Sequence, residues 1–315
     1  MAKISSGLCP WMSRPAATDQ NPDGSLTIQA GCKVNLYLKI VGKRVDSLHD
    51  LESLFLPLAN PRDSLTLESA GPGSGLILTC SEKDLETKEN ILHAAYRLFG
   101  EQTGSWPDIK AHLQKGIPFG SGLGGGSSDA AIFLHYLNSL QPEGRRLSLG
   151  DLTELSRQIG SDIPFFLYNK PALVRGAGEK VEPVSLDLSR FFLLLVCPDC
   201  RVSTKRAYKM WDDRFSGPYS QKDLTARANR FRKYLCFTGF LLYNDFEQLV
   251  FADIPQLRSL KETLLKTGAE AVVLSGSGAS IVSLFRSKQC LSQACSWLTA
   301  NRISYYQQDW GVAKR

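Results

Sequence analysis

Residues Ile117 to Ala131 read IPFGSGLGGGSSDAA, with Gly120, Gly122, Gly124, Gly125 and Gly126 set between a proline and the start of an apolar pattern. Glycine has no Cβ, so it reaches positive φ without steric cost and leaves its N–H uncovered. Such a run can wrap backbone donors around an anion. Behind it, Ala131, Leu134 and Leu137, or Ile132, Phe133, Tyr136 and Leu140, recur at helical spacing, which predicts a helix from Ser127 onward. The positive end of its dipole then faces whatever the loop holds, and a phosphate chain suits it. A flexible Gly/Ser connector is the competing reading. A connector needs neither Pro118 before it nor an unbroken helix after it.

Two common phosphate loops fit poorly. Gly120 to Gly125 forms a formal GxGxxG, but a dinucleotide fold wants an acidic residue about 20 positions on, closing a second strand. Only Glu143 stands near, in the turn-like QPEGRR. A Walker loop ends in Gly-Lys-Ser/Thr, whereas Gly126-Ser127-Ser128 has no lysine.

The 315 residues allow about two domains. No stretch approaches the roughly 18 uninterrupted apolar residues of a membrane span, and a net charge of +6 suits an anionic nucleotide as well as nucleic acid. Eight scattered cysteines point to free thiols in a reducing cytoplasm. The CPDC at Cys197 to Cys200 lacks a second pair or a nearby histidine to complete a metal site. Residues 1–25, with Pro10, Pro15, Pro22 and Gly24 and no apolar signal core, read as a loose arm.

Strands are predicted at Leu26 to Gly42 around a Gly31 break, at Ser53 to Leu58, Leu76 to Cys80 and Ile109 to Leu113. Helices are predicted at Asn90 to Phe99, Asp151 to Ile159 and Asp162 to Leu167. After a cut at Ser185 to Arg190 come a strand Phe191 to Val196, helices between Ser203 and Leu264, a hairpin Ala271 to Phe285, a helix Lys288 to Thr299 and a strand Ile303 to Gln308. This is an α+β order compatible with the split βαβ plan.

The glycine run resembles the second motif of the GHMP small-molecule kinases, a proline and glycines followed by Gly-Leu-Gly-Gly-Gly-Ser-Ser. Its Ser-Ser-Asp-Ala-Ala ending is similar to the branch that phosphorylates 4-diphosphocytidyl-2-C-methyl-D-erythritol in the non-mevalonate isoprenoid pathway. The resemblance implies an α+β, two-domain kinase: an ATP-binding N-terminal domain over 26–189 and a ferredoxin-like C-terminal domain over 190–315. It implies ATP and Mg²⁺ as cofactors, with Pro118, Phe119, Gly120, Ser121, Gly122, Leu123, Gly124, Gly125, Gly126, Ser127 and Ser128 around the phosphates and Asn90 near the base. Ser127 or Ser128 could offer the metal a hydroxyl; the metal ligands stay open. A cytoplasmic monomer or weak homodimer, with no nucleic-acid or membrane partner, goes with it.

Two further segments agree. Along CKVNLYLKI, Lys33, Asn35, Tyr37 and Lys39 share one strand face, which read alone is a solvated sheet surface. The kinases open with Pro-Ala-Lys-Leu-Asn-Leu, against Gly31-Cys32-Lys33-Val34-Asn35-Leu36, so Lys33 matches the catalytic lysine and Asn35 a substrate position. In IGSDIPFFL, Asp162 read alone is a helix N-cap. It matches the general base in the kinases' Gly-Ala-Asp-Val-Pro-Phe, where a carboxylate takes the proton of the attacking hydroxyl. Gly276, Ser277 and Gly278, read alone a hairpin turn, resemble the superfamily's C-terminal glycine motif. Against Arg-x-Asp-Gly-Tyr-His, the chain retains His49 but carries Leu48 for the aromatic, leaving Tyr208 to stack on the cytosine. A nucleic-acid-binding protein using the basic stretch Lys222 to Lys233 is the rival of another class.

Overall fold

The computed structural model describes residues 19–215 and 242–308. The basic stretch Lys222 to Lys233 and residues 1–18 of the expected arm lie outside them. Contacts divide the chain into two units that interleave along the sequence. The first takes residues up to Cys32, Pro61–Ile117 and Gly124–Lys170, the second Lys33–Asn60, Pro118–Leu123 and the chain from Pro171 on.

The strands in chain order are β1 (Asp19–Gln20), β2 (Leu26–Lys43), β3 (His49–Ser69), β4 (Leu76–Cys80), β5 (Ile109–Gln114), β6 (Ala172–Gly176), β7 (Lys180–Pro183), β8 (Phe192–Cys197), β9 (Tyr243–Asn244), β10 (Ala271–Leu274), β11 (Ile281–Phe285) and β12 (Ser304–Gln308). The α-helices are α1 (Ile91–Thr103), α2 (Gly125–Ser139), α3 (Leu149–Arg157), α4 (Ile163–Tyr168), α5 (Thr204–Arg214), α6 (Glu247–Asp253), α7 (Pro255–Lys266) and α8 (Lys288–Ala300).

In the first unit, β5 pairs antiparallel with Ser64 to Ser69 of β3 and parallel with β4. Helices α1 to α4 complete it. Asn90 caps α1, its Oδ1 accepting from the Leu92 N–H at 3.0 Å, and Gly104 ends the helix at φ 70. Ser148 and Asp151 form a reciprocal capping box on α3. Asp19 and Gln20, expected in a loose arm, pair with Thr27 and Leu26 instead, because the turn at Asn21 to Ser25 closes a hairpin.

In the second unit, Leu51 to Phe55 of β3 pair with β6, which pairs with β7, and Tyr37 and Leu38 of β2 pair parallel with β9. The β6–β7 hairpin escapes the sequence reading because its strands are only 5 and 4 residues long. A separate sheet has the order β10-β11-β8-β12. Its four strands, ranked along the chain, lie fourth-first-third-second, which is the split βαβ plan expected of the C-terminal part. Leu194, Val196, Trp211, Phe246, Leu264 and Phe285 belong to the core that joins this sheet to its helices.

Two expectations need correction. Gly31 does not interrupt β2, which runs unbroken for 18 residues; a glycine weakens a strand without having to end it. β3 extends well beyond Leu58, through Pro61 to Ser69. Pro61 falls between the β6 register at Leu51 to Phe55 and the β5 register at Ser64 to Ser69, a gap in the pairing on one side of the strand.

Candidate active site

The glycine run holds the conformation its composition predicts. Gly120, Gly122 and Gly124 have φ of 69, 76 and 73, a region costly for any residue with a Cβ. At Gly122 space forbids one as well: a Cβ would stand 2.7 Å from the Ser275 carbonyl oxygen and 3.0 Å from that of Gly278. Gly122→Ala is therefore expected to displace the loop from the Ser275–Gly278 turn and raise KM for the nucleotide at least about tenfold. A variant with unchanged nucleotide affinity by calorimetry would show that this approach is incidental. Ser121 Oγ donates to the Pro118 carbonyl at 2.6 Å, and the Leu123 carbonyl accepts from the Lys33 N–H at 2.9 Å. Phe119 is 66% exposed, with the Arg201 guanidinium 5.9 Å from its ring centroid.

The helix behind the loop begins at Gly125, two residues before the expected Ser127, so Gly125 and Gly126 form its first turn. Gly124 is its N-cap and contributes no side chain to the cap. Helical hydrogen bonding starts with the Ser128 N–H donating to the Gly124 carbonyl at 3.0 Å. The amides of Gly125, Gly126 and Ser127 thus lie outside the helical ladder, at the positive end of the dipole. Asn90 sits one residue from Ile91, whose methyl lies 3.9 Å from where a Gly126 Cβ would be. Its own amide is engaged locally, donating to the Leu85 carbonyl at 2.9 Å while Oδ1 caps α1.

Lys33 and Asn35 do not lie on a solvated face. Lys33 is 5% and Asn35 1% exposed. Burial of an ammonium demands compensation: Nζ donates to Asn35 Oδ1 at 2.8 Å and stands 4.4 Å from the Phe55 ring centroid. Asn35 Nδ2 donates to Ser53 Oγ at 2.9 Å, and Ser53 donates to the Tyr37 carbonyl. The Asn35 N–H donates to Ser275 Oγ at 3.1 Å.

That last bond ties β2 to the turn between β10 and β11. Gly276 and Gly278 hold φ of 57 and 90, the Gly278 N–H donates to the Ser275 carbonyl at 2.9 Å, and Ser277 Oγ lies 3.0 Å from Thr204 Oγ1. Asn244 fastens the turn by donating to the Leu274 and Gly276 carbonyls, each at 2.7 Å. The segment is a hairpin turn, and within the second unit it also meets Asn35 and Gly122.

His49 and Tyr208 come together in the same unit, stacked with ring centroids 4.6 Å apart. His49 Nε2 lies 2.7 Å from Asp212 Oδ1, and Trp211 meets the imidazole edge-on at 5.5 Å. Two rings this close leave no gap for a third between them. Leu48 is largely exposed.

Asp162 precedes α4 and is half-buried. Its side chain makes no cap hydrogen bond. Pro164 at the second helical position has no N–H to offer it, and a φ and ψ of −88 and −12 differ from the extended backbone of a capping residue. The helix end therefore takes no side-chain cap bond from Asp162.

Behind the loop, Lys115 bridges two buried carboxylates, Asp63 and Asp129, the latter at 2.8 Å. Burial pushes the Asp129 carboxyl up to about 7. Sequence reading missed this trio, and also Ser53, Asn244, Thr204 and Asp212. Asp129 alone had a local signal, as the acidic residue within the glycine motif; the others are ordinary polar residues until the fold assembles their partners. Among the described residues, no group of three or more His, Cys, Asp or Glu is placed to hold a metal ion, and no helix is long and apolar enough to cross a membrane.

Comparison with known proteins shows the family and the fold. The family model for the GHMP kinases N terminal domain matches residues 90–170, and that for the GHMP kinases C terminal domain residues 224–298. The chain is 43% identical to the 4-diphosphocytidyl-2-C-methyl-D-erythritol kinase of Lawsonia intracellularis over 278 residues, covering 83% of this chain and 89% of that one. It is 42% identical to the protein of the same name from Solidesulfovibrio magneticus, covering 86% and 92%. A crystal structure of 4-(cytidine 5'-diphospho)-2C-methyl-D-erythritol kinase superposes with a TM-score of 0.70 at 30% identity, over 90% of this chain and 98% of the other. Homoserine kinase from Cytophaga hutchinsonii, at 19% identity and a TM-score of 0.67, shares the fold.

Proposed function

The chain belongs to the family of 4-diphosphocytidyl-2-C-methyl-D-erythritol kinases, ATP-dependent small-molecule kinases of the GHMP fold, and on that premise we propose that it transfers the γ-phosphoryl group of ATP to the 2-hydroxyl of 4-diphosphocytidyl-2-C-methyl-D-erythritol in the methylerythritol phosphate pathway. The observation that carries the reading is the glycine loop turned against Ser275–Gly278 beside the buried Lys33–Asn35 pair. An ordinary solvated strand and a free connector would have left these groups apart.

In this reading Asp162 accepts the proton of the attacking hydroxyl as its oxygen bonds to the γ-phosphorus and the bond to the β-γ bridging oxygen breaks, releasing ADP. Lys33 supplies positive charge toward the attacking oxygen. The amides of the glycine loop and the first turn of α2 hold the phosphates, and Asn90 stands near the base. The hydroxyl of Ser127 or Ser128 is the donor this chain offers Mg²⁺. Such an oxygen suits a hard cation that takes few protein ligands, and when bound Mg²⁺ neutralises phosphate charge. A domain boundary at Ser185 to Arg190, a cytoplasmic location and a monomer or weak homodimer belong to the same proposal.

For the cytidine end, His49 is assigned to the hydrogen bond with the base edge and Tyr208 to stacking on the base, which requires the two rings to part from their 4.6 Å stack. Tyr208→Ala should raise KM for the cytidine substrate about tenfold, as expected for loss of one stacked base, while KM for ATP changes little. Leu48→Tyr should tighten it by up to about the same factor. Equal kinetics for cytidine, uridine and adenosine versions of the substrate would sink this assignment. The decisive assay supplies ATP and purified 4-diphosphocytidyl-2-C-methyl-D-erythritol and follows ADP release, with phosphorus NMR of the product. No turnover, or faster turnover of another alcohol, would leave only a GHMP-type kinase of different substrate.

A further inference from the structure

Asp63, Lys115 and Asp129 form a cluster for which the reaction scheme above has no use. Asp63 is 0% and Asp129 1% exposed. Asp63 Oδ1 accepts from the Gly116 N–H at 2.6 Å and the Ile117 N–H at 2.8 Å, the two residues that lead into Pro118. Lys115 Nζ donates to Asp63 Oδ2 and, at 2.8 Å, to Asp129 Oδ2. Asp129 lies in the second turn of α2, the helix that leaves the loop. Gly125, first residue of that helix, packs so closely on the cluster that a Cβ there would be 3.3 Å from Asp63 Oδ2 and 3.2 Å from Ile117. The chain before the loop is thus bonded to Asp63 and the helix after it to Lys115 through Asp129, with Lys115 joining the two.

Stability alone is a poor reason for this arrangement. Two buried carboxylates and one lysine carry a desolvation penalty that an apolar set of similar volume would avoid. Asp129 Oδ1 is also buried with no hydrogen-bond partner among the described residues, a further cost. What the ions provide is direction: each bond fixes one backbone segment relative to another.

We propose that Asp63, Lys115 and Asp129 are positioning residues for the nucleotide phosphates, holding the two ends of the glycine loop at a set spacing so that the amides of Gly125, Gly126 and Ser127 meet the phosphate oxygens. The proposal rests on the loop being the phosphate site. The three side chains are 10% exposed or less, so they act through the loop, and loosening them should affect nucleotide binding and spare the acceptor.

The test uses the full chain, with steady-state kinetics in both substrates and calorimetry with ATP. Lys115→Met and Asp129→Ala should each raise KM and Kd for ATP at least about tenfold, a size typical of small misplacements of binding groups. KM for the alcohol substrate should stay within about twofold in both. Asp129→Asn, whose amide oxygen can still accept from Lys115, should recover most of what Asp129→Ala loses. Folded variants with unchanged ATP affinity, with both KM values raised in proportion, or with no recovery in Asp129→Asn would overturn the proposal. Should Lys115→Met not fold, the two variants at position 129 carry the same comparison. Gly124→Val separates the two layers of inference. If it leaves ATP binding intact, the phosphate reading of the loop falls and the positioning role with it; if it abolishes binding while Lys115→Met has no effect, only the positioning role falls.

Discussion

Asp162→Asn is expected to lower kcat by at least about 10²-fold, the low end of what a positioned general base contributes, while KM for both substrates moves little. The amide keeps the shape of the carboxylate but cannot take the hydroxyl proton as the new P–O bond forms. Because Asp162 makes no cap hydrogen bond, a loss of activity in this variant would not trace to a lost helix cap. A variant with near-normal kcat would place the proton acceptor elsewhere. A variant that loses stability and activity together would return Asp162 to a structural role at the helix end.

Lys33→Met should also lower kcat by about 10²-fold or more, since in the proposed mechanism it deletes the charge offered to the attacking oxygen while keeping the aliphatic stem. Here stability should suffer as well. Lys33 is the donor to Asn35 Oδ1 and rests on the Phe55 ring, so the substitution leaves a buried acceptor unpaired at a cost of about 1–3 kcal/mol. Measuring kcat and both KM values at a temperature where the variant is folded separates the two effects. If only the KM for ATP rises, Lys33 serves the phosphates and not the acceptor hydroxyl.

Much of the site was legible along the chain because its signals are local. A glycine run ahead of an apolar helical repeat and Asn90 opening α1 each depend on residues a few positions apart, and the backbone cannot satisfy them in many other ways. The order of elements from Phe191 onward likewise pointed to the split βαβ plan that the β10-β11-β8-β12 sheet adopts.

Tertiary structure decided what covers each face. Alternation along β2 marks Lys33 and Asn35 as one side of a strand, but a period of two says nothing about whether that side meets water or protein. The partner that buries Asn35, Ser275, is 240 positions away, and Asn244, which fastens the same turn, is 30 and 32 positions from the carbonyls it holds. Lys115 likewise reads as one more surface lysine until β3 brings Asp63 to it from 52 positions upstream. Hydrogen bonds and ion pairs carry no sequence period, so the residues that complete this site become distinguishable only when the chain closes around them.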